Sequence, residues 1–302
     1  MKREPLARFA LAQTRVRLKW AIAALRRAAR KPDDPESAHE VRVAHRRLLA
    51  CLQLFAGLFT RKAAEKLRKR SRKLIDLCGA KRDYDVALHV LAEAGLRPYH
   101  SVVLKCRERR DKEARRLSRR LAKRVARNKG WADRWKKQLK LAKRPRGEWE
   151  PALAIADYAR RALPQSAQKF FAKGDEAVDA RGDYETLHQF RLRAKSFRYG
   201  LEVFRAVQGS RWKEKLRELR ELQERLGAVN DCVVLLALPE LDRAAASSVR
   251  RQLVIRERRF HECWRTAFSP ESRAQWIALL EAPAPDQQRL TRAENAGSQT
   301  VP

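Results

Sequence analysis

A chain of 302 residues, 44% of them apolar, is long enough to bury a substantial core in one or two domains, which excludes a disordered polycation. Its 70 Lys and Arg against 36 Asp and Glu leave a formal charge of +34, which repels itself and calls for a polyanion: nucleic acid, an anionic membrane or a phosphate polymer. Eleven Gly and 12 Pro are too few for a turn-rich β fold, and five scattered Cys without a CxxC pair fit reduced, buried thiols in a cytosolic protein.

The opening MKREPLARFALAQTRVRLKW places arginines where a signal peptide needs an unbroken apolar core. No segment approaches the roughly 18 consecutive apolar residues of a membrane span, so a soluble, intracellular protein is expected. Residues 5–30 predict an amphipathic helix with Leu6, Phe9, Val16 and Trp20 on its inner side. Lys31-Pro32-Asp33-Asp34-Pro35 ends it and starts the next, with Asp34 as N-cap and Pro35 at the first helical position. That second helix stops near Gly57. Thr60 can cap a third running to Cys78, apolar along Ala64, Leu67 and Leu74 and basic along Lys62, Lys66, Lys69 and Lys73. A shorter helix is expected over residues 83–94, and Pro98 opens a long one. Residues 105–146 carry twenty Lys/Arg and four Asp/Glu. Ala114, Leu117, Leu121 and Val125 still recur at helical spacing, so this is an amphipathic helix whose basic side is either solvated or polyanion-binding. Trp131 and Trp135 carry the apolar side into another helix. Arg144-Pro145-Arg146-Gly147 is the best break, and it sets a boundary between two halves near residue 150.

The second half predicts a helix from about Pro151, interrupted at Pro164. Asp183 caps the next helix. Ser210 caps another, which ends at Gly227, and Asp231 begins a shorter apolar one. Residues 247–268 and 270–280 are the last helices. The polar, Pro/Gly-punctuated tail, residues 286–302, is expected to be disordered.

Two landmarks occur twice. HEVRVAHRRL at His39 matches HQFRLRAKSFRY at His188, pairing His39 with His188, Arg42 with Arg191, Val43 with Leu192 and Arg46 with Lys195. At about 100° per residue, His39, Arg42 and Arg46 fall within about 60° on a helix, as do His188, Arg191 and Lys195. Arg47 lies at the edge of the first stripe, and Arg198 extends the second. Val41, Leu48, Leu52, Phe55 and Phe59 gather on the opposite side, as do Phe190, Phe197, Leu201 and Phe204. About forty residues later LCGAKRDYDV matches LGAVNDCVV, pairing Gly79 with Gly227 and Asp83 with Asp231. In each, the glycine is expected to end a helix and the aspartate to cap the next. Two landmarks at one offset, near 148 residues, indicate an internal duplication.

The duplicated H-x-x-R…R/K helix followed by L-G-x-x-R/N-D resembles the CHAD family, the conserved histidine α-helical domain, over roughly residues 5–285. The resemblance implies an all-α fold of two pseudo-two-fold-related antiparallel helical bundles, the first over residues 1–150 and the second over 151–285. It also implies binding of inorganic polyphosphate in the cytoplasm or at polyphosphate granules. The family commonly carries a further basic residue where Leu49 stands; the second copy keeps it as Arg198.

Helix faces of Arg and Lys suit a phosphate polymer, since Arg offers planar paired donors and Lys a mobile point charge, repeated every 5–6 Å. The expected polyphosphate-binding set is His39, Arg42, Arg46 and Arg47, the lysines at 62, 66, 69 and 73, and Arg82 in the first copy. His188, Arg191, Lys195, Arg198, Arg217 and Arg220 form the second. The alternative for these faces is a solvated surface. His39 and His188 stand beside the stripes, where they either donate to phosphate or hold structure. His39 and His45 are six apart and lack the i, i+4 spacing of a helical metal site. Asp83 and Asp85 form a D-x-D that could hold Mg²⁺, but the second copy has Val233 in place of the second aspartate. There is no P-loop, no GxSxG and no clustered acidic set, so no enzyme, cofactor or metal is expected. The competing function is a structural nucleic-acid-binding protein. The charge fits it equally, whereas the aromatics, 7% of residues, fall mostly on apolar faces rather than among the basic stripes.

Overall fold

The computed structural model describes residues 5–31, 34–126, 130–142 and 154–283, and there the helical periodicity of the sequence is matched by helices. The helices are α1 (Pro5–Arg30), α2 (Pro35–Leu54), α3 (Arg61–Leu77), α4 (Gly79–Glu93), α5 (Ser101–Ala126) and α6 (Trp131–Gln138). There follow α7 (Ile155–Asp179), α8 (Tyr184–Gln208), a 3₁₀ turn (Gly209–Trp212), α9 (Lys213–Leu236), α10 (Arg243–Ala267) and α11 (Pro270–Glu281). Among the described residues no strand forms, and the one β-type pairing is an isolated bridge between Phe59 and Leu141. The fold is all-α. No helix of the described residues is long and apolar enough to cross a membrane.

The chain resolves into two compact units. One holds Met1–Phe9, Glu150–Glu224 and His261–Pro302; the other holds Ala10–Trp149 and Arg225–Phe260. In the second of these, α2 packs on α3 and α4 on α5. Asp34 accepts the Glu36 N–H and Pro35 opens α2, as its sequence dictates. Val41, Leu48, Leu52, Phe55 and Phe59 are wholly buried, as are the α3 residues Ala64, Leu67 and Leu74 to within 2%. Three hydrogen bonds run down the antiparallel α2–α3 pair: Arg42 Nη1 to the Ile75 carbonyl, His45 Nδ1 with Ser71 Oγ, and Arg68 Nη2 to the Leu52 carbonyl.

The other unit is organised on aromatic rings. Phe170 of α7 lies 5.0–5.5 Å, centroid to centroid, from Phe190 and Phe197 of α8 and from Trp264 and Phe268. Such pairs contribute about 0.5–1.5 kcal/mol each beyond their burial. Arg273 of α11 grips both Asp175 oxygens, at 2.5 and 2.7 Å, while its guanidinium covers Trp264 and Phe171. Asp183 caps α8: the Thr186 hydroxyl foremost, then the Thr186 and Glu185 N–H groups, donate to its carboxyl and hold it below the usual range.

Several expectations are corrected. Val16 and Trp20 are 42% and 53% exposed, so they do not line the inner side of α1. The buried face is instead Leu11, Leu18, Ile22 and Leu25, with Ala21 and Ala28 beside it. Both stripes have helical period, so period alone does not choose between them. Neither paired aspartate is a cap. α4 begins at Gly79, four residues before Asp83, and α9 runs unbroken through Gly227 and Asp231 to Leu236. Neither glycine takes a positive φ, so neither forces a stop. Pro164 does not interrupt α7. It sits buried in the helix interior, where packing outweighs the ~3 kcal/mol that a lost backbone bond and ring clash cost. A 3₁₀ turn containing Ser210 precedes α9, and α10 starts at Arg243, where the Asp242 carboxylate accepts the Ala245 N–H. Thr60 occupies the N-cap of α3 without a side-chain hydrogen bond. The break at 144–147, the start near Pro151, the tail 286–302 and the side chains of Val125 and Trp131 lie outside the described residues. All five cysteines are buried free thiols.

Candidate functional site

The sequence places basic residues on helix faces, and the structure sorts them by what already neutralises them. On α3, Lys62, Lys66, Lys69 and Lys73 are exposed, opposite buried Ala64, Leu67 and Leu74. Among the described residues none of the four forms an ion pair, whereas Arg61 at the start of the helix is held by Glu65. At 1.5 Å rise per residue the four ammonium groups rise from a stretch about 16 Å long.

The α2 stripe lies deeper. His39, Arg42, Arg46 and Arg47 are half-buried. Arg42 donates to the Ile75 carbonyl at 3.1 Å and stands beside the α3–α4 junction, where its Nη1 would lie 3.5 Å from a Cβ on Gly79. Burial pushes the Asp83 carboxyl above its ordinary range; Arg42 and Arg82 oppose that shift, while the negative charge of Asp231 adds to it. Asp83 and Asp231, paired in the sequence, therefore act on one another, and Arg42 acts on Asp83. Burial likewise pushes the Cys78 thiol up to about 11, against the pull of Arg42 and Lys81. Asp85 is engaged by Lys81 at 2.9 Å, both nearly buried, so the D-x-D carboxylates serve cations of the chain itself. Among the described residues no three His, Cys, Asp or Glu side chains are grouped to hold a metal ion.

On α8, His188, Arg191 and Lys195 are half-buried. Arg198 is tied down: Nε donates to Gln223, Nη1 to Glu202, and the guanidinium lies over Tyr199. Gln223 in turn donates to the Ala194 carbonyl, which fixes α8 against α9. Arg217 is exposed between Glu214 and Glu221, and Arg220 is exposed with Nε on the Leu216 carbonyl.

One basic cluster went unread in the sequence. Lys19, Arg26, Arg30 and Lys31, with Lys136 of α6, surround a cavity of about 820 Å³. The signal was present as Lys19, Arg26 and Arg30 at i, i+7 and i+11, but α1 was read for its apolar residues. Beside this cavity a groove of about 300 Å³ between α1 and α2 is lined by Trp20, Ala24, Val43 and Ala44, with His39 and Arg47 at its edge.

Known proteins share this architecture. PptA from Streptomyces chartreusis is similar over 87% of this chain and all of its own, with TM-score 0.55 and 17% identity. The crystal structure of the CHAD domain from the plant Ricinus communis is similar over 93% of both chains, with TM-score 0.54 and 22% identity. No curated protein sequence matches the chain. The CHAD domain family model matches residues 13–240, three quarters of the length, and the chain belongs to the CHAD domain family.

Proposed function

We propose that the protein binds inorganic polyphosphate on its basic helix faces and catalyses no reaction on it. The observation that carries this reading is the α3 stripe: four exposed lysines at 4, 3, 4 spacing, without a carboxylate partner among the described residues, in a chain of charge +34. A rigid row of unneutralised cations attracts a flexible polyanion and holds its successive phosphates by charge-assisted hydrogen bonds. His39, Arg46 and Arg47 extend the row onto α2; His188, Arg191, Lys195 and Arg220 form the second copy. Arg42, Arg82, Arg198 and Arg217 belong to the same faces but are engaged by groups of the chain, and they position their neighbours. The paired motifs support an internal duplication, with bundles over residues 1–150 and 151–285 related by a pseudo-two-fold. The place of action in this reading is the cytoplasm, at polyphosphate granules.

The test removes equivalent cations from both copies. Arg46→Gln/Lys195→Gln should weaken binding of long-chain polyphosphate by at least about tenfold, since each charge-assisted hydrogen bond contributes roughly 1.5–3 kcal/mol. The control Arg119→Gln/Arg120→Gln, on exposed positions of strongly basic α5, should change it less than threefold at equal net charge. Equal losses in the two variants would mean a diffuse basic surface. Bound duplex DNA that polyphosphate fails to displace would favour a nucleic-acid-binding protein instead.

A further inference from the structure

The basic cavity and the apolar groove on α1 are adjoining sites, because both are lined by Ala23 and Arg27. Each has a distinct chemistry. Lys19, Arg26, Arg30, Lys31 and Lys136 face the larger cavity, against one lining carboxylate among the described residues, Asp34; behind them Asp133 holds Lys136 at 3.0 Å and acts on Arg26. Among the described residues no ion pair engages Lys19, Arg30 or Lys31. The groove next to it is walled by Trp20, Ala23 and Ala24 of α1 and by Val43 and Ala44 of α2. The alanines leave the space, and Trp20, 53% exposed, offers an indole face that the core does not use. Glu40 lines the groove too, but its charge is balanced by Arg27, which holds both oxygens at 2.8 and 2.9 Å. Volumes of about 300 and 820 Å³ are those of small-ligand sites.

We infer that this surface is a nucleotide site, which takes a nucleoside triphosphate with its base in the Trp20 groove and its phosphates in the basic cavity. A bare anion would use only the cavity, and an apolar ligand only the groove. A nucleotide is the common class of metabolite that joins a flat aromatic ring to a chain of phosphates. Aromatic side chains next to Arg and Lys are the usual way of holding such a ring, by stacking on its π-face. This inference stands apart from the polyphosphate reading, because Trp20, Lys19, Arg26, Arg30, Lys31 and Lys136 lie outside the faces proposed for the polymer. His39 and Arg47 are shared, so a long polyphosphate chain should compete with the nucleotide.

The experiment is calorimetric titration of the full chain with magnesium-free ATP and GTP, and with inorganic tripolyphosphate. Tripolyphosphate carries at least as much charge, so electrostatics alone gives the nucleotide no advantage. At least one nucleotide should nevertheless bind about fivefold or more tightly than tripolyphosphate. Trp20→Ala should weaken nucleotide binding about tenfold, leave tripolyphosphate unchanged, and be rescued by Trp20→Phe. Stacking contributions of this size are seen at exposed aromatic platforms. Lys19→Ser/Arg30→Ser should weaken both ligands. Trp20→Ala should keep wild-type affinity for long-chain polyphosphate, which separates failure of this inference from failure of the polymer reading. Tripolyphosphate binding as tightly as either nucleotide, or a Trp20→Ala variant with unchanged nucleotide affinity, would overturn the assignment. So would an oligonucleotide that displaces the mononucleotide at lower base equivalents, because the groove would then be part of a nucleic-acid track.

Discussion

His45 sits one helical turn after Val41, on the core side of α2, and is wholly buried. Its Nδ1 meets Ser71 Oγ at 3.1 Å, its ring lies edge-on to Trp135 at 6.1 Å, and Nε2 has no hydrogen-bond partner among the described residues. Burial pushes its pKa down to about 4, from about 6.5 in the unfolded chain. Between those values the unfolded chain binds a proton that the native imidazole refuses, so stability falls as pH drops through that window and is unaffected above it. The slope is about 1.4 kcal/mol per pH unit for one proton, or roughly 3 kcal/mol across the window. Urea unfolding at pH 7 and 4.5, which spans most of that window, should show His45→Gln losing about 2.5 kcal/mol less than wild type, whatever its stability at pH 7. A variant with the wild-type pH slope would mean that His45 is protonated in the fold. The sequence made the buried position readable, since His45 shares the apolar face of Val41, Leu48 and Leu52. The half-burial of His39 was not readable, because it depends on the groove that α1 and α2 form together.

Helix faces in α2, α3 and α8 were legible because each carries bulky apolar residues opposite its charges. α1 was not, since alanines spread along its sides give two stripes of equal period. The Gly79–Asp83 and Gly227–Asp231 pairs were misread for a related reason. Glycine followed by aspartate is a capping pattern locally, whereas the groups that act on Asp83 include, besides its neighbour Arg82, Arg42 far back in the chain and Asp231 far ahead. Packing between α7 and α10 was equally invisible in the sequence. A Cβ on Gly174 would lie 2.0 Å from the Trp264 ring. That ring cannot withdraw easily: Phe190 and Phe268 hold it at 5.0 and 4.9 Å, and its Nε1 donates to Asp175. Gly174→Ala should therefore destabilise the protein by about 1–3 kcal/mol, despite the better helix propensity of alanine. Trp264→Phe removes the ring atoms that collide, so Gly174→Ala made in that background should cost under about 1 kcal/mol. Chemical denaturation of the four proteins gives the coupling directly; additive losses would show that helix and ring adjust independently.

For the whole molecule the dominant fact is a charge of +34, which opposes compaction and attracts polyanions at once. Salt should therefore act with opposite signs on the two. Between 10 and 100 mM NaCl the screening length falls from about 30 to about 10 Å, and the unfolding midpoint of the free protein should rise. Over the same range polyphosphate affinity should fall, because each neutralised phosphate releases a counterion. The gradient of log affinity against log salt is about −0.7 per phosphate on a single strand, taking nucleic acid as the guide. That gradient counts the cations in use. If only the α3 lysines engage the polymer, it should be near −3. If Arg46, Arg47, Arg191, Lys195 and Arg220 join them, it should approach −6, and this steeper value is the one expected here. Lys66→Ser/Lys69→Ser should then reduce it by about 1.4, while Arg198→Gln should barely alter it, because the Arg198 guanidinium already serves Gln223 and Glu202. A gradient near −3 that loses nothing on substituting Arg191 and Lys195 would confine binding to α3 and leave α8 and α9 as scaffold.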